Sequence, residues 1–465
     1  MAGTQGDCSF LDHGVRPEPG GRGHAQTQVT GVGGGWRGRR VGVVGWGVSG
    51  RAAAALLARH GAEVFVSESR PVESFPSNAR EELFRYESET GGHSRRLLEN
   101  DLLVLSPGID PRIEPLSDFS GPIWSEPELG FRFLPNCRIV GVTGTNGKTT
   151  VTSLMGDLFA SSGGADRVFV AGNIGEPLCA VAEEISAEDT VVLELSSFQL
   201  ELIDSFRADA GVLLNLAADH LDRHGSLEAY HAAKWRLFER MEEEDAAILA
   251  VTDEKIRRGM ERGMRGKIYR IGEEPYSPAA LRGIVTPAVL REVKAFENAA
   301  CVVAAADHFG IPRGAVLEVL SNFRGLPHRR EVVGTFRGIT VVDDSKATNV
   351  DAVRNAIVCF REPIVLIVGG SGKGESFTPL RERRDRCRAV VAYGEEGRRI
   401  AEEIGAEWVG PFEEAVRRAW SLAEKGDLLL LSPGCASFDQ FSGYAERGRR
   451  FVEIVRGLVR EGNVS

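Results

Sequence analysis

Residues 139–150 read Ile139-Val-Gly-Val-Thr-Gly144-Thr-Asn-Gly147-Lys148-Thr149-Thr150, and their order decides the fold class. A β-branched run enters a glycine-rich loop, and Lys-Thr then opens a helix. This is the strand–loop–helix arrangement of a P-loop. Its backbone N–H groups can cradle phosphates, Lys148 can reach the β- and γ-phosphates, and Thr149 can ligand Mg²⁺. The generic pattern wants glycine at 142, where this chain has Val, so the loop is a variant with Gly144, Thr145, Asn146, Gly147, Lys148, Thr149 and Thr150 as its phosphate-facing residues.

Outward from this loop, short β-branched runs alternate with helix-length stretches. Strands are expected at 41–44, 63–66, 101–105, 138–142, 190–195, 211–216, 339–342, 363–368, 389–392 and 427–431, and helices between many of them, as at 51–59 and 349–359. Such alternation predicts α/β layers with mostly parallel sheets. Pro-bearing seams at 124–135 and 323–327 each precede a fresh strand. The expected organisation is a Gly-rich disordered leader over 1–37, then domains over 38–126, 127–325 and 326–465. The leader has too few aliphatic residues to offset the entropy of ordering it.

A length of 465 residues suits about three domains. The excess of 66 acidic over 56 basic residues gives a net charge of −10. That argues against a general nucleic-acid binder, whose affinity needs excess Lys and Arg. No apolar run approaches a membrane-spanning length and no secretory signal is visible. Seven scattered cysteines without a CxxC predict reduced thiols and a cytoplasmic protein. Only 8 of the 56 cations are Lys. A Lys retained under that bias is a candidate for a role that Arg cannot fill.

A second glycine loop, Gly45-Trp-Gly47-Val-Ser-Gly50, follows the first expected strand and opens an Ala-rich helix, with Glu68 at the end of the next strand. This G-x-G-x-x-G suits a pyrophosphate at a helix N-terminus. It fits NAD or FAD, a nucleotide sugar held by the same physics, or a purely structural turn.

Further words follow in order. They are Glu194-Leu-Ser-Ser-Phe-Gln-Leu-Glu201, Asp219-His220-Leu-Asp222-Arg223, Ala233-Lys234, Gly325-Leu-Pro-His328-Arg329, Asp344-Ser-Lys346-Ala-Thr348-Asn349, Gly369-Gly-Ser-Gly-Lys373-Gly and Ser432-Pro-Gly-Cys-Ala-Ser437-Phe-Asp-Gln-Phe-Ser-Gly-Tyr444. Together with the P-loop, and over about 425 residues, they resemble the Mur ligase superfamily of ATP-dependent amide-forming enzymes. The Glu194–Glu201 and Asp344–Asn349 words resemble its D-glutamate-adding branch.

The resemblance implies a three-domain ligase of peptidoglycan precursor synthesis. Its substrates would be ATP, UDP-N-acetylmuramoyl-L-alanine and D-glutamate, and it would act as a monomer. The first domain would be Rossmann-like and hold the UDP-substrate, not NAD, through Val48, Ser49, Glu68, Ser69, Arg70 and Gly108, with Asn173 and His220 contributing. Asn298, Arg329, Asp344 and Lys346 would join the P-loop around ATP. Thr348, Lys373, Ser437 and Tyr444 would bind D-glutamate in a Rossmann-like third domain. Lys148, Glu194, His220 and Lys234 would be catalytic. Thr149 and Glu194 would hold one Mg²⁺, and His220 and Lys234 a second.

An ammonium has no lone pair to give a metal. In this family the lysine carries CO₂ as a carbamate. The local pattern permits that reading. A helix over 227–241 would place Leu227, Tyr230, Lys234, Leu237, Phe238 and Met241 on one apolar stripe, where burial favours the neutral, nucleophilic amine. A snorkelling lysine is the alternative. Lys148, Lys234, Lys346 and Lys373 are four of the eight lysines, and all lie inside motifs. Three departures stand out. Lys294-Ala295 replaces a common His-Asn, Gly372 replaces an acid, and residues 273–290 align poorly. The competing readings are a sister Mur enzyme or polyglutamate synthase, an NAD-dependent oxidoreductase and a P-loop regulatory switch.

Overall fold

The computed structural model describes residues 35–461 except 165, 166, 261, 262 and 294. Three sheets account for the expected α/β architecture. The first contains β1 (Arg40–Val44), β2 (Glu63–Glu68), β3 (Glu87–Thr90), β4 (Leu102–Leu105) and β5 (Ile123–Ser125) in the order β3-β2-β1-β4-β5. The second contains β6 (Arg138–Thr143), β7 (Val168–Gly172), β8 (Thr190–Glu194), β9 (Ala210–Leu213), β10 (Ala246–Ala250) and β11 (Lys267–Ile271) in the order β11-β10-β9-β6-β8-β7. The third contains β12 (Glu331–Phe336), β13 (Ile339–Asp343), β14 (Ile364–Gly369), β15 (Cys387–Tyr393), β16 (Glu407–Trp408) and β17 (Leu428–Gly434) in the order β12-β13-β17-β14-β15-β16. Every pairing is parallel except β12 with β13.

The central strands are buried on both faces, which is why they read as continuous apolar runs such as Ile-Val-Leu-Ile-Val-Gly in β14. All ten expected strands lie on observed ones, with ends shifted by up to three residues. Strand order reverses between β1 and β4 in the first sheet and around β6 in the second. Ligands bind at the carboxyl ends of strands at such switch points. Both glycine loops stand there. In the third sheet the carboxyl ends of β13, β14 and β17 are neighbours, and the Asp344, Lys373 and Ser437 words leave from them.

Two expectations need correction. The helix expected over 227–241 ends at Trp235 and tightens into a 3-10 turn over Arg236–Phe238. The inward stripe survives the change, with Tyr230, Lys234, Leu237, Phe238 and Met241 all buried. The leader expected over 1–37 lies outside the described residues up to 34, but its last residues are packed. Trp36 stacks on Phe133 at 5.4 Å and meets Trp124 edge-on at 6.3 Å, with the Arg39 guanidinium 5.3 Å over its ring. These aromatic contacts tie the chain start to the seam after β5.

Trp36 is only half-buried, so truncation should cost about half of a core aromatic, or about 2 kcal/mol. Trp36→Ala is expected to lower the melting midpoint by a few degrees in a thermal shift assay. Removing residues 1–37 should match it, and removing residues 1–34 should not.

Candidate active site

The P-loop connects β6 to the helix Lys148–Ser161, with Gly147 capping that helix in the left-handed region at φ 87°. A Cβ on Gly147 would lie 2.5 Å from Asn298 Oδ1, so glycine lets Asn298 approach the loop. Asn298 donates to the Val293 carbonyl at 2.7 Å. Asn215 braces the loop, its Oδ1 accepting from Asn146 N–H at 2.8 Å and its amide donating to the Asn146 carbonyl at 3.0 Å.

Two lysines converge on one oxygen. Lys148 Nζ donates to the carbonyls of Gly144 and Thr145 at 2.8 and 2.9 Å. Lys234 Nζ donates to the same Gly144 carbonyl at 3.0 Å and lies 4.5 Å from the Tyr230 ring centroid. Tyr230 in turn donates to Thr145 Oγ1 at 3.1 Å. Lys234 is 1% exposed. Burial, then the neighbouring Lys148 charge, push its amine well below the ordinary lysine range. Burial lowers Lys148 as well.

Glu194 ends β8 and is 1% exposed. Its Oε1 accepts from Asn173 at 2.7 Å, and its Oε2 is buried without a hydrogen-bond partner. His220 holds a left-handed backbone at φ 52° and lies edge-on to Phe198 at 4.7 Å. Burial pushes its imidazole down to about 3, so the ring is neutral and keeps a lone pair. An orphaned carboxylate oxygen, a neutral imidazole and a lysine biased toward its free amine form a donor set that fits a hard divalent cation once that amine carries a carboxylate.

A cleft of about 680 Å³ is lined by Thr145 to Thr150, Asn173, Glu194, His220, Asn298, Arg329, Asp344, Lys346 and Thr348. It lies between the second and third sheets. Asn146 donates to Asp351 at 3.0 Å, and Asn349 donates to Asn146 at 3.1 Å and to Asp219 at 3.2 Å. Lys373 donates to Asp219 Oδ1 at 2.9 Å, with Thr348 Oγ1 at 3.5 Å. Asp344 is pushed up to about 6 by burial, and Lys346 down to about 8, also by burial. The Lys346 ammonium lies 3.9 Å from the Tyr444 ring centroid. Lys373, Ser437 and Tyr444 lie behind this cleft and outside its lining, and Ser437 is buried.

The N-terminal candidates form a separate cluster. A Cβ on Gly50 would lie 1.9 Å from the Gly45 carbonyl oxygen, which requires glycine there. Val48 is 67% exposed beside it. Glu68 is inward-facing. Trp46 N–H donates to its Oε2 at 2.7 Å and Arg70 N–H to its Oε1 at 2.9 Å. Burial would raise Glu68, but the Arg70 side chain and these N–H donors outweigh it and hold the carboxyl below its usual range. Arg70, on Glu68 at 3.1 Å, is the part of this group that reaches solvent. Arg223 links the Gly108 loop to the His220 segment, lying 3.4 Å from the Ile109 carbonyl, 3.5 Å from Asp110 and 2.9 Å from Glu201.

Sequence reasoning quoted Asp219, Tyr230 and Arg223 without giving them roles and passed over Asn215. Their partners lie tens of residues away, and only the length of the quoted motifs pointed to them. Of the departures, Lys294 lies outside the described residues and Ala295 lines the cleft. A Cβ on Gly372 would lie 2.2 Å from Glu396 Oε1, so a carboxylate occupies that space from another part of the chain. Residues 273–290 supply Tyr276, Leu281, Val285 and Val289 to the central core.

Known proteins resemble this chain along most of its length. The MurD N-terminal domain family matches residues 40–114, the Mur ligase middle domain 142–282 and the Mur ligase glutamate ligase domain 328–435. A UDP-N-acetylmuramoylalanine--D-glutamate ligase of Desulfitobacterium hafniense (strain Y51) is 37% identical over 458 residues, covering 91% of this chain and 98% of the relative. The chain belongs to the Mur ligase family. A second D-glutamate ligase, from Anaeromyxobacter dehalogenans (strain 2CP-C), is 39% identical over 91% of this chain and 99% of its own. Among solved structures, MurF ligase from Thermotoga maritima in complex with ADP aligns with a TM-score of 0.56 at 18% identity, covering 91% of this chain and 96% of that one. E. coli FolC in complex with DHPP and ADP aligns at 0.53 and 16%, covering 70% and 90%. At such identities these two structures support the Mur ligase fold.

Lys346 should make ATP binding pH-dependent. Its amine is neutral above about 8, so the cleft loses a cation as pH rises. Titration calorimetry with ATP between pH 7 and 9 should show affinity falling through about pH 8. Lys346→Arg, which stays protonated, should reduce that slope.

Proposed function

We propose that the chain joins D-glutamate to the L-alanyl carboxyl of UDP-N-acetylmuramoyl-L-alanine at the expense of ATP, as a cytoplasmic monomer in peptidoglycan precursor synthesis. The observation that carries this reading is one cleft lined by both the P-loop and the Asp344–Lys346 strap, with Lys373 donating to the cleft-lining Asp219 at 2.9 Å and lying 3.5 Å from Thr348 Oγ1. The names of the 37–39% identical relatives support the choice of substrates.

Residues 38–126 would hold the UDP-substrate through Val48, Ser49, Glu68, Ser69, Arg70 and Gly108, with Asn173 and His220 contributing from residues 127–325. Residues 326–465 would bring D-glutamate to Thr348, Lys373, Ser437 and Tyr444. A carboxylate oxygen is a poor leaving group. The substrate carboxylate therefore attacks the γ-phosphorus of ATP, the bond to ADP breaks, and an acyl phosphate forms. The D-glutamate amine attacks the acyl carbon, loses a proton, and the tetrahedral adduct expels phosphate. Lys148, Arg329 and Lys346 act on the negative charge that moves between the phosphates, and their half-buried setting makes each charge count for more than it would in open water. Asn298 would sit at the adenine side, and Asp344 would hold Arg330 and Ser432 in place beneath the phosphates.

Thr149, Glu194, His220 and a carbamylated Lys234 would hold Mg²⁺. When bound, Mg²⁺ supplies charge neutralisation for the triphosphate and the approaching carboxylate. Carbamylation of Lys234 joins its neutral amine to CO₂ with release of a proton. It would turn one of two crowded lysines at the Gly144 carbonyl into an anion, which attracts Lys148 and adds the oxygen donors that Mg²⁺ prefers.

Phosphate release with ATP and UDP-N-acetylmuramoyl-L-alanine is expected with D-glutamate and not with L-lysine, meso-diaminopimelate or L-alanine. Equal release with another amino acid would refute the assigned specificity. Lys148→Ala should abolish turnover and leave binding of the UDP-substrate intact. Lys234→Arg keeps the charge and cannot take up CO₂, so it should be almost inactive, and bicarbonate depletion at mildly acidic pH should reversibly lower wild-type activity.

A further inference from the structure

The loop Leu-Pro-His328-Arg329-Arg330 joins the second and third sheets, and its shape is unusual. His328 and Arg330, on either side of Arg329, both hold left-handed backbones, at φ 61° and 45°. A residue with a Cβ adopts this region only when its surroundings impose it. Here the 343–346 strap imposes it. His328 Nδ1 donates to Asp343 Oδ2 at 2.7 Å, and Lys346 N–H donates to the His328 carbonyl at 3.0 Å. The Arg330 N–H donates to Asp344 Oδ1 at 3.0 Å, and the His328 N–H to Glu331 Oε2 at 2.9 Å. Asp343 also accepts from Ser345 N–H at 2.9 Å. Asp343 is fully buried. The pair is closed from outside by the helix Tyr444–Glu461, where a Cβ on Gly448 would lie 2.3 Å from His328 Nδ1 and 2.6 Å from Asp343 Oδ2.

We infer that His328, clamped between Asp343 and Gly448, is a positioning residue that fixes Arg329 and Lys346 as one rigid pair over the ATP phosphates. The inference rests on the proposed ATP-dependent ligation and deepens it. The imidazole points away from the cleft, yet its carbonyl carries the Lys346 backbone and its ring sets the backbone entering Arg329. Loss of the clamp frees both cations together without removing either.

Three variants test this in the full-length enzyme. His328→Leu removes the hydrogen bond and is expected to lower kcat at least tenfold and raise KM for ATP several-fold, with the dissociation constant of the UDP-substrate unchanged within twofold. His328→Asn keeps an N–H donor near the Nδ1 position and tolerates the left-handed region, so it should retain activity within about fivefold of wild type. Gly448→Ala removes no polar group and drives a methyl into the pair, so it should reproduce the kinetic signature of His328→Leu. Rescue by Asn separates positioning from mere packing, because Leu and Asn share the same number and branching of side-chain heavy atoms and the bulkier Leu fills the space better. Equal kcat for His328→Leu and His328→Asn, or a Gly448→Ala enzyme with wild-type kcat and KM for ATP, would overturn the inference. If His328→Leu does not fold, Gly448→Ala and His328→Asn decide between the same outcomes. If even wild type releases no phosphate with D-glutamate, the reading of the function fails instead. ATP binding by the variants then still reports on the clamp.

Discussion

One backbone oxygen, the Gly144 carbonyl, accepts hydrogen bonds from the buried Lys234 and the half-buried Lys148, and much of the site follows from that crowding. Like charges brought together away from water favour the neutral form of at least one. Lys234 is the more enclosed, with Tyr230 beneath its ammonium, and burial pushes both amines down. One compensating carboxylate, Glu194, gives one oxygen to Asn173 and leaves the other without a partner. A P-loop made only to hold phosphate needs one lysine. The second, with an orphaned carboxylate oxygen and a neutral imidazole nearby, is what a site needs if it must also gather oxygen donors for a divalent cation.

The crowding also explains why the cleft is assembled from several sheets. No single βα loop presents phosphate cradle, acyl acceptor and amino acid to one point. Here the carboxyl ends of β6, β8, β9 and β13 line one cleft, and polar side chains connect it to neighbouring strand ends. Arg223 ties the Gly108 loop to the His220 segment. Asn146, Asn349 and Asp351 tie the P-loop to the third sheet, and Asp219 ties His220 to Lys373. These contacts hold groups from distant parts of the chain at bonding distance, the arrangement that converts a reaction among three substrates into one within a complex.

Much of this was legible in the sequence because parallel strands buried on both faces read as unbroken apolar runs, and phosphate loops need glycine at fixed spacing. Several strands outside the expected set read differently. Ala-Ala-Ile-Leu-Ala of β10 has the composition of a helix, and its strand state comes from pairing with β9 and β11. Glu-Ser-Glu-Thr of β3 and Lys-Ile-Tyr-Arg-Ile of β11 are edge strands with polar or mixed faces. β12 is the antiparallel edge, paired with β13 across a short turn. Trp36 sat in a glycine-rich stretch that read as unstructured, and only the position of Phe133 and Trp124 gives it a partner. In the site, residues with local motif signatures were found. Asp219, whose partners Lys373 and Asn349 lie 154 and 130 residues away, could be quoted but not given a role.

Gly372 shows how a departure from a motif can leave the local chemistry close to unchanged. The loop around it is held by backbone, with Ser371 and Ala436 exchanging N–H···O bonds at 3.0 and 2.9 Å and Glu396 N–H donating to the Gly370 carbonyl at 3.1 Å. That last bond brings the start of the helix Gly397–Ile404 against the loop, and the Glu396 carboxylate lands where a side chain at 372 would project. Position 372 and position 396 therefore compete for the same space. An acid at 372 would force Glu396 out, and Glu396 in its present place requires glycine at 372. A carboxylate at this point of the loop is thus a property of the space and not of one position in the chain, and here it pairs with Arg399. Without an acid at 372, the backbone bonds of this loop and the Lys373–Asp219 hydrogen bond are still in place.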